Sequence, residues 1–86
     1  MKAAYRIAIQ KKALKTLAEI PEPYYGKIKA AILALAFNPR PPGYKKLKGR
    51  KGYRVRVAHY RIIYEVFDRI LLIEVIAIGH RKDIYA

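Results

Sequence analysis

The sequence predicts a small α+β domain whose elements follow the order β-α-α-β-β-β. Alternating apolar and polar residues, the period of a β-strand, occupy residues 3–9 and 53–64. Apolar residues at helical spacing occupy residues 11–20 and 22–37. A nearly continuous apolar run at residues 70–78 is typical of a strand inside a sheet. The chain has 86 residues, which is enough for one core, so we assign residues 1–86 to a single domain.

The first half of the chain predicts a strand and two helices. In the first helix, residues 11–20, the apolar face is expected to carry Leu14, Leu17 and Ala18. Prolines end this helix, and a second helix follows over residues 22–37. Its apolar stripe recurs at i, i+4, i+7, i+8 and i+11 and consists of Tyr24, Ile28, Ala31, Ile32 and Leu35. Two helices joined by a proline turn are marginal alone and need a sheet to pack on.

The proline-rich segment at residues 39–43 predicts a loop inside the domain, and a short basic strand is expected around residues 46–48. A β-hairpin with its turn at Ala58 and His59 should follow. Its register would pair Val57 with Tyr60, Arg56 with Arg61, Val55 with Ile62 and Arg54 with Ile63. One face then carries Tyr53, Val55, Val57, Tyr60, Ile62 and Tyr64, an apolar surface that fits helices.

The other face of this hairpin collects three arginines, which we call the arginine face: Arg54, Arg56 and Arg61. Like charges directly opposite on a sheet cost about 0.2–1 kcal/mol. Fold stability therefore does not account for the three arginines, whereas a bound polyanion would. The alternative is a solvated basic face without a ligand.

The last strand is expected at residues 70–78, after a turn at Asp68 and Arg69. This register would place Ile63 opposite Glu74 and Arg61 opposite Ile76, so that Glu74 joins the arginine face beside Arg54. An ion pair that orients the arginine and a catalytic role are both open for Glu74. Gly79 should end the strand, and the remaining residues should form a loop or a single helical turn.

Charge is the strongest compositional signal. Nineteen Lys and Arg residues against six Asp and Glu residues give a net charge of +13, which favours nucleic acid as the partner, followed by an acidic protein and then a membrane surface. The chain has no cysteine and no apolar stretch of about 18 residues, so we expect a cytoplasmic protein. No metal-binding, phosphate-loop, dinucleotide or nucleophile motif is present, and we predict no metal and no cofactor.

The arginine face together with His80, Arg81 and Tyr85 suits cleavage of RNA without a metal. The 2′-hydroxyl loses a proton as it attacks phosphorus, the phosphorane gains negative charge, and the 5′-oxygen takes up a proton. Arginines stabilise that charge, Tyr85 is a candidate base, and Arg81 or His80 is a candidate acid. Each has an alternative: Tyr85 as a packing residue, His80 as a loop histidine, and Arg81 as a passive phosphate ligand. Four further cations are candidate RNA-binding residues, or else solvated strand-edge charges: Lys46, Lys48, Arg50 and Lys51.

The segment KKLKGRKGYRVRVAHYRIIYEV, followed by an apolar strand and GHRKDIY, resembles the RelE branch of the RelE/ParE toxin superfamily. This resemblance implies a helical hairpin packed on one face of a twisted, mostly antiparallel sheet, with the RNA site on the opposite face. It also implies a type II toxin that cleaves messenger RNA in the decoding site of the ribosome and so inhibits translation. An acidic RelB-like antitoxin would neutralise the toxin in a hetero-oligomer.

By position, the resemblance carries catalytic roles onto Arg54, Arg56, Arg61, Arg81 and Tyr85. The best-known member has lysines at the strand pair, and here arginine keeps the charge but binds phosphate as a planar fork. The spacing between the tail arginine and tyrosine is also shorter here. Two other functions remain open: gyrase inhibition without RNA cleavage, as in the ParE branch, and a non-enzymatic basic module that binds RNA or protein.

Overall fold

The computed structural model describes residues 4–80. Its elements are β1 (Arg6–Ile9), α1 (Lys11–Ala18), α2 (Tyr24–Leu35), β2 (Lys45–Lys46), β3 (Tyr53–Val57), β4 (Tyr60–Phe67) and β5 (Leu72–His80). The strands form one sheet in the order β1-β5-β4-β3-β2, with β1 parallel to β5 and the other pairs antiparallel. The α+β prediction is confirmed. The short basic strand expected around residues 46–48 is present as the two-residue strand β2, which begins one residue earlier and which the order β-α-α-β-β-β did not count.

The core lies between one face of the sheet and the two helices. From the sheet it takes Val55, Tyr60, Ile62, Tyr64, Ile73, Val75 and Ile78, and from the helical segment Ala13, Leu17, Ile20, Ile28, Ile32 and Leu35. Helix α2 buries the stripe that helical spacing predicted, since Ile28, Ile32 and Leu35 are at most 2% exposed. The Glu22 carboxylate accepts a hydrogen bond from the Gly26 N–H at 2.9 Å, which satisfies a free donor in the first turn of α2.

The predicted apolar face of α1 is wrong by about one residue. Ala13 and Leu17 are buried, whereas Leu14 is 52% exposed and Ala18 is exposed. The buried residues Ala13 and Leu17 are spaced at i and i+4, so they share the face of α1 that packs on the sheet. Leu14 attracted the prediction because it is the larger residue.

The β3–β4 hairpin has the predicted register, with Arg56 opposite Arg61 and Val57 opposite Tyr60. Ala58 adopts a φ of 57°, which allows a two-residue turn although alanine is not a favoured residue there. The period-2 pattern therefore sets the register, because a slip by one residue would turn every apolar side chain of the hairpin away from the helices.

The predicted register between β4 and β5 is wrong. The connecting turn takes the four residues 68–71, so Phe67 pairs with Leu72, and a β-bulge at Ile63 and Tyr64 shifts the pairing further along. Ile63 consequently lies opposite Ala77, and Glu74 lies opposite Glu65, away from Arg54. Strand β5 also continues through Gly79 to His80.

A polar network ties the proline-rich loop to the β4–β5 turn. The Arg40 guanidinium donates to Asp68 Oδ2 at 3.1 Å and to the Tyr53 hydroxyl at 3.2 Å, and Tyr5 donates to Asp68 Oδ1 at 2.6 Å. These hydrogen bonds to the carboxylate, that of Arg40 first, hold the pKa of Asp68 below its ordinary value. The Tyr64 hydroxyl donates to the Pro39 carbonyl at 2.7 Å, and burial raises the pKa of this phenol to about 12.

Candidate nucleic-acid interface

The arginine face lies on the side of the sheet opposite the helices. Strand β3 supplies Arg54 and Arg56, strand β4 supplies Arg61, and Arg56 and Arg61 occupy directly opposite positions. Arg61 is only 5% exposed, Arg54 is half-buried and Arg56 is exposed. Arg54 and Arg61 each interact with other groups of the protein. The face thus offers one buried guanidinium beside one that is open to solvent.

A basic groove of about 390 Å³ continues the arginine face toward strand β2. Its lining includes five cationic side chains, Lys45, Lys46, Lys48, Arg50 and Arg54, together with Leu47 and Ile63. The structure therefore brings three of the four predicted RNA-binding residues together with Arg54, while Lys51 is an exposed neighbour in the chain. Sequence reasoning missed Lys45, although its place beside Lys46 in a basic run was a usable signal.

Gly52 joins the basic loop to strand β3. Its φ is 118°, and a Cβ atom there would lie 3.0 Å from the Tyr64 carbonyl oxygen. The Gly52 carbonyl accepts a hydrogen bond from the Leu47 N–H at 3.0 Å. The backbone of the basic loop is thus fastened to strand β3 at a point where only glycine fits without strain.

His80 lies apart from the arginine face. It pairs with Tyr60, a core residue of β4, so both side chains point toward the helix side of the sheet. Its ring stacks on His59 with centroids 4.8 Å apart and lies 4.7 Å from the ring of Tyr60, while Tyr24 contacts His59 edge-on at 5.0 Å. The four rings form an aromatic cluster on the helix side, at the tip of the β3–β4 hairpin. The expectation that His80 belongs to a loop is wrong because β5 extends to this residue.

Arg81 and Tyr85 lie outside the described residues, so their roles stay predictions.

The non-helix face carries one acidic feature within residues 4–80, the cross-strand pair of Glu65 and Glu74. The Gln10 side-chain amide donates to Glu74 Oε2 at 3.2 Å. Along β4 the face therefore runs from cationic at Arg61 to anionic at Glu65, and a phosphate would be drawn toward the arginine end.

Two further features concern residues 4–80 only. No group of three or more His, Asp or Glu side chains in this part of the chain is arranged to hold a metal ion. None of its helices is both long enough and apolar enough to cross a membrane.

Comparison with known proteins assigns the family. The family model of the ParE toxin of the type II toxin-antitoxin system parDE matches residues 7–85. The chain belongs to this family. A RelE1 toxin candidate of Methanocaldococcus jannaschii is 35% identical over 87 residues, covering 94% of each chain. Both findings agree with the resemblance to the RelE/ParE superfamily drawn from the sequence.

Solved structures share the fold. The archaeal RelE-RelB complex from Pyrococcus horikoshii aligns with a TM-score of 0.82 and 28% identity, covering 93% of this chain and 98% of the other. The RelB-RelE complex from Methanococcus jannaschii gives a TM-score of 0.70 and 31% identity, covering 91% and 94%. The intact Escherichia coli RelBE complex gives 0.78 and 25%, covering 90% and 96%. The two-helix, five-stranded domain is therefore a RelE-like fold.

Proposed function

We propose that this toxin is a metal-independent endoribonuclease that cleaves messenger RNA on the ribosome and so inhibits translation. The observation that carries the proposal is the arginine face, where two neighbouring strands place Arg56 and Arg61 directly opposite each other. This arrangement opposes fold stability and suits a bound phosphate. It lies beside a groove lined by lysines and arginines, which could hold the flanking backbone of an RNA strand.

Each arginine has a role that follows from its exposure. The buried Arg61 is shielded from water, so its charge acts strongly on the oxygens of the phosphorane as their negative charge develops. The exposed Arg56 faces the incoming strand and can pair with a phosphate oxygen before the reaction. Arg54 belongs to the arginine face and also lines the groove. Its proposed role is to bind the RNA backbone next to the scissile phosphate. In the proposed reaction all three arginines contribute positive charge, and none of them transfers a proton.

We assign proton transfer to Arg81 and Tyr85 in the C-terminal segment. Tyr85 is the proposed base: if the C-terminal segment brings it beside the arginine face, the cations there would favour its phenolate. His80 stacks on His59 on the helix side, so the proposed acid is Arg81. A guanidinium is a weak acid, but the departing 5′-alkoxide is a stronger base than the neutral guanidine that the transfer leaves. Transfer to it is therefore favourable once the P–O bond has stretched.

The proposed partner outside the reaction is an acidic RelB-like antitoxin. Several structures with this fold are complexes of RelE with RelB, and an acidic chain would complement the net charge of +13. The toxin and its antitoxin would form a hetero-oligomer in the cytoplasm, where ribosomes translate.

The proposal is tested by incubating purified toxin with ribosomes programmed with a defined messenger and locating cuts by primer extension. Cleavage is expected only on ribosome-bound messenger, and the upstream fragment should end in a 2′,3′-cyclic phosphate, the product of attack by the 2′-hydroxyl. Replacing Arg61 by Met should lower the rate by about 10²–10³-fold, the typical cost of removing one transition-state donor. Arg61→Lys, which keeps the charge without the fork, should lie between. Arg69→Met, in the exposed β4–β5 turn, is the matched control and should cleave like the wild type.

A second candidate is gyrase inhibition, because the matching family model is that of a ParE toxin. A supercoiling assay with purified gyrase separates the two. Inhibition of supercoiling by a toxin that leaves ribosome-bound messenger intact would replace the ribonuclease proposal. If the toxin neither inhibits supercoiling nor cleaves ribosome-bound messenger, the third interpretation remains, a basic module that binds RNA or protein.

A further inference from the structure

Two exposed histidine rings form a stack at the tip of the β3–β4 hairpin. His59 is the second residue of the turn, and His80 is the last described residue of β5. Their ring centroids lie 4.8 Å apart and their planes differ by 21°. The buried ring of Tyr60 lies 4.6 Å from the His59 ring and 4.7 Å from the His80 ring. The half-buried Tyr24 contacts His59 edge-on at 5.0 Å, so the tyrosines hold both imidazoles in place while solvent still reaches them.

Such a stack is a prepared surface for another flat ring. Offset stacking is a favoured arrangement of aromatic rings, and the solvent-exposed part of the two imidazoles adds little to the burial that stabilises the fold. Contacts with Tyr24 and Tyr60 already restrict the rings, so little conformational freedom is lost when a ligand binds. Proteins bind unpaired RNA bases by stacking them on His, Tyr, Phe or Trp rings. The histidine pair therefore has the chemistry of a base-stacking site.

The stack is next to the arginine face along the strands but on the other side of the sheet. Arg61 and Tyr60 are consecutive on β4, and Tyr60 pairs with His80. One residue along a strand is a rise of only about 3.3 Å. The hairpin ends at the two-residue turn that carries His59. A strand of RNA that rounds this tip can therefore keep phosphates on the arginines while one of its bases reaches the histidine rings.

Cations flank the stack and favour a nucleic acid as its ligand. Lys12 and His80 line the same groove, and Lys27 is exposed about one helical turn after Tyr24. The lining of the groove also includes the acid Glu19. An acidic peptide would meet these lysines as well, but two parallel aromatic rings match the flat face of a base more closely than they match a carboxylate.

We propose that the stack of His59 and His80 binds an unpaired RNA base, at a site separate from the arginine face that holds the scissile phosphate. The inference rests on the proposed function, because it takes RNA as the ligand. The base comes from the messenger next to the cut or from the ribosomal RNA around it, and both sources offer the same stacking chemistry. The flanking lysines pair with the phosphates on either side of the base.

The test measures the affinity of the full toxin for ribosomes programmed with a messenger whose codon in the decoding site carries 2′-O-methyl groups. This modification removes the attacking 2′-hydroxyls, so binding is measured without cleavage. His59→Ala should weaken binding by about fivefold or more, the usual effect of losing one stacked base. His59→Phe keeps an aromatic ring and should bind nearly as tightly as the wild type.

Phe37→Ala is the matched control. Phe37 is an exposed ring beyond the far end of α2, a helix of 12 residues that begins at Tyr24, and its loss should leave binding unchanged. Equal affinity of His59→Ala and Phe37→Ala would overturn the inference. A His59→Phe variant as weak as His59→Ala would also overturn it, since the imidazole would then act through charge or a hydrogen bond. If His59→Ala weakens binding of the acidic antitoxin and not of the ribosome, the stack belongs to that protein and the inference fails.

Messengers with one abasic nucleotide at successive positions near the codon identify the source of the base. If the messenger supplies it, one abasic position weakens binding of the wild type and leaves that of His59→Ala unchanged. If ribosomal RNA supplies it, chemical probing shows a ribosomal base that the wild type protects and His59→Ala does not. Absence of both patterns would overturn the inference. A toxin that binds the ribosome without cutting any messenger would contradict the ribonuclease proposal alone, whereas absence of binding by the wild type would remove both.

Discussion

Arg56 is predicted to destabilise the fold. It lies exposed on β3 directly opposite Arg61, and like charges at such a position destabilise a sheet by about 0.2–1 kcal/mol. Replacing Arg56 by Thr removes one of the two charges and introduces a residue that strands favour. The free energy of unfolding should therefore rise by about 0.2–1 kcal/mol. For a chain of this size that is an increase in Tm of about 1–8 °C.

The assay is urea denaturation at low and at high salt. Screening weakens the repulsion, so the stabilisation by Arg56→Thr should shrink as salt increases. Arg6→Thr is the control, because Arg6 is an exposed strand residue whose cross-strand partner is the uncharged Leu72. It should show a smaller change with little dependence on salt. Destabilisation by Arg56→Thr at low salt, or an effect equal to that of the control, would refute the argument that stability does not account for the arginine face.

Three further predictions concern the frame around the site. Tyr64→Phe leaves the Pro39 carbonyl without its hydroxyl donor and should lower the free energy of unfolding by about 1–3 kcal/mol in urea titrations. Because the folded pKa of Asp68 is lowered by Arg40, its contribution is present above the unfolded value of about 4 and is lost as the pH falls through the folded value. Asp68→Asn should therefore flatten the acid limb of the stability profile, and an unchanged limb would contradict this. Gly52→Ala strains a backbone at φ 118° against a carbonyl and should cost about 1–3 kcal/mol, whereas equal stability would show that the loop relaxes.

The elements that are set by the spacing of apolar residues alone were predictable from the sequence. The β3–β4 hairpin is the clearest case, because its alternation continues on both sides of a two-residue break and fixes which residues face each other. The stripe of α2 is another, since its five positions repeat at helical spacing. In both, burial of one face selects a single register or rotation. The mostly antiparallel sheet with the helices packed on one face came from the family resemblance.

The β4–β5 pairing was not predictable in the same way. The sequence marks a break at Asp68 and Arg69, but it does not show that Ile70 and Leu71 also belong to the turn, because both are as apolar as the strand that follows. The bulge at Ile63 and Tyr64 leaves no compositional trace either. The longer turn moved Glu74 away from Arg54, and the bulge shifted the pairing from Ile63 onward by one more residue.

The candidate site, too, was predictable from the sequence only in part. Alternation places the three arginines on one face, and a run of cations predicts a basic groove. Burial of Arg61 is a tertiary property, set by what surrounds the strand rather than by the strand itself. His80 was assigned to the tail because Gly79 looked like a strand end, but a glycine opposite Arg61 fits the sheet and the strand continues.

The most direct test of the central claim is to induce this gene alone in a bacterial host and map messenger 5′ ends against ribosome position. Tyr85→Phe is induced in parallel. The account predicts growth arrest with new 5′ ends inside translated codons, and loss of those ends with Tyr85→Phe. Growth arrest by the wild type with no new ends in translated messengers would contradict it.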